Sequence, residues 1–64
     1  MTNTAFYKNS QGNINILVDN MTQKDMREEI NANGHKVVAI FKGTHKLEDL
    51  DQLELNRIFN QLNK

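Results

Sequence analysis

His45 and the three carboxylates that follow it, Glu48, Asp49 and Asp51, are the densest set of chemically capable side chains in the sequence. An imidazole and acids of this kind serve as metal ligands or as a general acid–base pair. The spacing speaks against both uses. Asp51 falls where a helix needs a cap, Glu48 and Asp49 read as solvated turn residues, and no second histidine stands at ligand distance in sequence. Asp49-x-Asp51 lacks the glycine and the distal glutamate of a calcium loop. Lys42-Gly43-Thr44 carries a fragment of a phosphate loop without the glycine-rich turn that cradles phosphate. Ser10 is the one serine and has no base near it in sequence, and the chain has no cysteine. The expectation is a protein that is not an enzyme and takes no cofactor and no metal.

Lysines beside aromatics suggest a different chemistry, the stacking of bases on a sheet. Formal charge sums to zero, but residues 35–46 carry Lys36, Lys42 and Lys46 with no acid. Together with Phe6, Tyr7 and Phe41 these lysines constitute the alternative reading, a small single-stranded nucleic-acid binder. Three lysines fall short of the usual basic footprint of such proteins. They read better as gatekeepers that flank and solubilise an apolar strand.

That strand is Val37-Val38-Ala39-Ile40-Phe41. Alternation places Val37, Ala39 and Phe41 on one face and Val38 and Ile40 on the other, so both faces are apolar. Around it the elements separate clearly. Residues 4–8 read as a first strand, 9–13 as a turn with Gly12 at positive φ, and 14–18 as a second strand, giving a hairpin. Thr22 and Asp25 form the ends of a capping box, with Met21 and Met26 as a hydrophobic staple, so a helix is expected over 22–33 and closes at Asn33-Gly34. The third strand covers 36–42. A second helix is expected over 51–62, capped by Asp51 and Glu54 and stapled by Leu50 and Leu55, with Leu47 to Leu50 as a turn or single helical loop. Leu55, Ile58, Phe59 and Leu62 follow the spacing of one buried face, Leu53 falls off it, and the late Arg57 and Lys64 suit the helix dipole.

The order predicts one small α+β domain over 1–64, strand, strand, helix, strand, helix, with a three-stranded sheet. At 64 residues such a domain lies near the lower limit for folding without disulfides or metal. If both helices pack on one face, the other exposes Leu17, an aromatic from Phe6 or Tyr7, and either Val38 and Ile40 or Val37, Ala39 and Phe41. If the helices sandwich the sheet, that surface is covered. The first arrangement makes Phe6, Tyr7, Leu17, Val38, Ile40 and Phe41, with Lys36 and Lys42, the candidate contact residues for a protein partner or a second copy. The expected function is a protein-binding regulator or inhibitor. No twenty-residue apolar segment is present, which together with the lack of cysteine suggests a cytoplasmic protein away from membranes. Ten asparagines and no proline fit an AT-rich source such as a bacteriophage or mobile element.

Overall fold

The computed structural model describes residues 1–62. The elements are β1 (Asn3–Lys8), β2 (Ile14–Asp19), α1 (Gln23–Ala32), β3 (Lys36–Lys42), a 3-10 turn at Leu47–Asp49 and α2 (Leu50–Leu62). This is the predicted α+β domain, with element bounds within about a residue of those read from the sequence. Lys64 lies outside the described residues.

Local chemistry forms each connection. Asn9 closes the β1–β2 hairpin by accepting from the Gln11 and Asn13 amides with its side chain, and Gly12 takes φ +84°. Thr22 caps α1 through a 3.1 Å bond from the Asp25 amide, and Met21 packs beside Met26 as the staple requires. Gly34 ends the helix at φ +81°.

The sheet order is β2-β1-β3, with both outer strands antiparallel to β1. The central strand is therefore the modest Asn3-Thr4-Ala5-Phe6, each residue buried, while the greasier β3 lies at an edge. Ala5 faces α1 and packs with Met26 and Ile30, and Tyr7, Leu17, Val37 and Ile40 close the rim of that cluster. A small side chain at the centre of the sheet lets the helix approach closely.

Strict alternation along β3 fails at one place. Phe6 pairs with Ala39 but Tyr7 pairs with Val37, so Val38 is the extra residue of a β-bulge. The bulge turns Val37 onto the face of Ile40 and under α1, and Val38 is left 40% exposed. Ala39 and Phe41 stay on the opposite face. There they meet Phe6, whose ring lies edge-on to Phe41 at 5.9 Å.

Phe6 and Thr4 have no exposed surface although they point away from α1. Their cover is the segment after β3. Thr4 Oγ1 donates to the Gly43 carbonyl at 2.7 Å and accepts from the His45 amide at 3.0 Å, which clips the 43–46 connection across the sheet. The 3-10 turn then passes beside β2, and α2 follows with Leu50 and Leu53 half-buried. The segment after β3 thus covers the sheet face away from α1 at Thr4 and Phe6, so that face is not fully open.

Candidate functional site

The sequence-derived contact residues do not form one surface. Phe6 is fully buried and touches no solvent. Tyr7, Leu17 and Ile40 are half-buried around the α1 core, and Phe41 is half-buried on the other face, between Phe6 and the His45 ring. Lys36 and Lys42 are exposed but stand at opposite ends of β3, and Lys46 lies beyond the connection. Only Val38 is both apolar and exposed among the β3 candidates, because the bulge ejects it. Separated in this way, the lysines and aromatics do not make a stacking platform.

The side chains with catalytic potential have structural duties. His45 Nε2 donates to the Lys42 carbonyl at 2.7 Å, and its ring lies edge-on to Phe41. Asp49 accepts from the Lys46 amide at 3.0 Å, while the Asp49 amide returns a bond to the Lys46 carbonyl. This reciprocal pair starts the helical segment. Asp51 is consequently in the first turn of α2 and not at its cap, and Glu54 turns to Arg57 in a 2.9 Å ion pair. The capping box moved because Asp49, two residues before Asp51, reaches the amide of Lys46 where the chain changes direction. His35 stacks on Tyr7 at 5.1 Å.

A cleft of about 340 Å³ lies at the N-terminal end of α1, between Met1, Asn3, Asn20, Met21, Thr22 and Lys42. The N-terminal amine donates to Asn20 across it, and Asn3 Nδ2 bonds the Met21 carbonyl at 2.6 Å. These contacts tie the chain terminus to the start of the helix. They assemble no nucleophile and base.

Exposed apolar surface is concentrated elsewhere. The stripe expected to be the buried face of α2 faces solvent: Leu55 is 61% exposed, Ile58 50%, Phe59 66% and Leu62 79%. The side of α2 nearest β3 is instead Leu53, Asn56, Arg57 and Asn60, which border a cleft with Ile40 and Phe41. Each stripe residue stands two positions on from one of these, a rotation of roughly 200° at 3.6 residues per turn. Leu53, set aside by the sequence pattern, is the inward contact, and the regular stripe is the outward one. Ile16 and Val18 pair with Phe6 and Thr4 and so share the α2 side of the sheet, and both are exposed, as is Leu47 in the 3-10 turn. β2, the 3-10 turn and α2 together thus leave seven large apolar side chains exposed. The amphipathic spacing of α2 marked the ridge in the sequence; its direction came only from the tertiary structure.

No family model, curated protein or solved structure matches this chain. Among the described residues, no helix is long and apolar enough to cross a membrane.

Proposed function

We propose that the protein acts by recognition and not by catalysis: it is a small protein-binding regulator or inhibitor, working in the cytoplasm on a larger host protein, as a phage or mobile-element product would. The observation that carries this reading is the exposed apolar stripe of α2, Leu55, Ile58, Phe59 and Leu62, which follow one another on a single face of the helix. Scattered single apolar residues are normal on a surface, whereas a contiguous group is characteristic of an interface. The β3 edge provides a second contact region over Val37 to Phe41. There Val38 projects at the bulge between the flanking Lys36 and Lys42, and an edge strand offers main-chain groups to an added strand.

A photo-reactive residue placed in turn at Ile58, at Val38 and at Glu28 on the exposed side of α1 tests the reading in cells. Protein adducts are expected at the first two positions and not at the third. Adducts at none of them, or equally at all three, would remove the recognition surfaces from the account.

A further inference from the structure

Ten asparagines are spread along the chain, and Asn33 alone among them is followed by glycine. That pairing carries a reaction of its own. A main-chain nitrogen can attack the side-chain amide carbon of the residue before it and close a five-membered imide, and glycine puts no side chain in the way. Here the pair ends α1, with Asn33 and Gly34 both exposed to water.

The folded chain holds both reacting groups out of position. Asn33 has φ −88° and ψ 6°, which sets the Gly34 nitrogen nearly eclipsed with the nitrogen of Asn33 itself. Ring closure needs it to eclipse Cβ instead, a third of a turn away around the same bond. Two main-chain bonds oppose that rotation: the Gly34 amide donates to the Asn31 carbonyl at 3.0 Å and the His35 amide to the Ile30 carbonyl at 3.1 Å. With Gly34 at φ +81° they form a Schellman motif. The Asn33 side chain is tied as well, since its Nδ2 donates to the Glu29 carbonyl at 2.9 Å. His35, the last residue of the motif, is anchored in turn by its ring contact with Tyr7 at 5.1 Å.

We propose that Asn33-Gly34 is a self-modification site gated by this cap: Asn33 deamidates only when the C-terminal end of α1 opens, and the product weakens the cap that had protected it. In the step, the Gly34 nitrogen gives up its proton and bonds to Cγ of Asn33, the Cγ–Nδ2 bond breaks, and Nδ2 leaves with a proton as ammonia. Water then opens the imide at one carbonyl or the other, which leaves an aspartate or an isoaspartate at position 33. Water is the sole co-reactant.

Either product works against the motif. A carboxylate at position 33 loses the donor to the Glu29 carbonyl, stands four residues from the Glu29 side chain, and adds negative charge at the negative end of the helix dipole. No basic residue occupies the last turn to offset it. An isoaspartate also routes the main chain through an extra carbon, so the Gly34 and His35 amides no longer reach the Asn31 and Ile30 carbonyls together. Ile30 belongs to the core cluster with Met26 and Ala5, so loosening at this end is felt under the sheet. The reaction runs one way, and the fraction modified therefore records how long the cap has spent open. It uses no residue of α2 or of the β3 edge, so it holds whether or not those surfaces bind a partner.

The test incubates the whole protein in mildly alkaline buffer, with and without urea. Mass spectrometry follows the tryptic peptide 28–36, and amide exchange is read at Gly34 and His35. The unfolded chain is expected to gain one mass unit at position 33, with isoaspartate in the product. The folded protein is expected to react at least about 10-fold more slowly, by the factor that protects the Gly34 and His35 amides. Asn33→Gln, whose longer side chain closes a six-membered ring far more slowly, is expected to show no gain in either condition. Asn33→Asp, the aspartate product made directly, is expected to exchange those two amides about 3-fold faster than the parent. Equal rates in the folded and unfolded chains would overturn the gate, and an unmodified Asn33 in urea would overturn the site. A gain that persists in Asn33→Gln places the reaction at Asn31 and overturns the assignment, while unchanged exchange in Asn33→Asp overturns the weakening of the cap.

Discussion

Replacing Thr4 by valine probes the connection that aims α2. Thr4 has no exposed surface, and its hydroxyl makes two bonds to the segment leaving β3, a donation to the Gly43 carbonyl at 2.7 Å and an acceptance from the His45 amide at 3.0 Å. Valine keeps the shape, so no cavity opens and the change isolates the polar contribution. Each bond contributes about 0.5–1.5 kcal/mol net, and the amide and carbonyl left behind lie at half-buried residues where water compensates in part. The expected loss is about 2 kcal/mol. Small domains have only about 3–5 kcal/mol from their single core, so the variant should melt roughly 8–16 °C lower. Urea and thermal unfolding followed by circular dichroism measure this. Thr4→Ser keeps the hydroxyl and loses only a methyl, so faster exchange of the His45 amide is expected in Thr4→Val and not in Thr4→Ser. A valine variant within about 0.5 kcal/mol of the parent, with unchanged His45 exchange, would refute the idea that this clip positions the 3-10 turn and α2.

Two further substitutions test the fold. Gly34→Ala meets no atom within 4 Å, so its cost is the backbone strain of φ +81° alone, about 1 kcal/mol, read as a lower urea midpoint with unchanged slope. Ile40→Asp and Phe41→Asp each set a charge against packed side chains, on opposite faces of β3, and both are expected to unfold the domain. Val38→Asp lies at the exposed bulge and is expected to remain folded, with dispersed amide resonances in a proton–nitrogen spectrum.

The legible parts of the sequence are those set by contacts a few residues apart. Thr22 with Asp25, Gly12 and Gly34 each state a cap, a turn or a stop in local chemistry, and the elements appear where these signals put them. The apolar stripe of α2 was visible for the same reason, since its period depends only on helix geometry. The candidate site was less legible. Amphipathicity says that a helix has a greasy side and is silent on what that side faces, so a stripe meant for burial reads the same whether the sheet, a second copy or solvent lies opposite.

The amino-acid sequence by itself determined the kinds and order of the elements and the hairpin, because these follow from backbone preferences and short-range hydrogen bonds. Only the tertiary structure decided that the plain Asn3-Thr4-Ala5-Phe6 strand takes the centre while the oily β3 takes the edge. It also decided that a bulge at Val38 resets the faces and that α2 keeps its apolar row exposed. The hydrophobic effect rewards area removed from water without specifying direction. Its outcome here depended on the closeness with which Met26 could approach Ala5, on the hydroxyl of Thr4 and on the angle of the chain at Gly43, none of which a one-dimensional pattern contains.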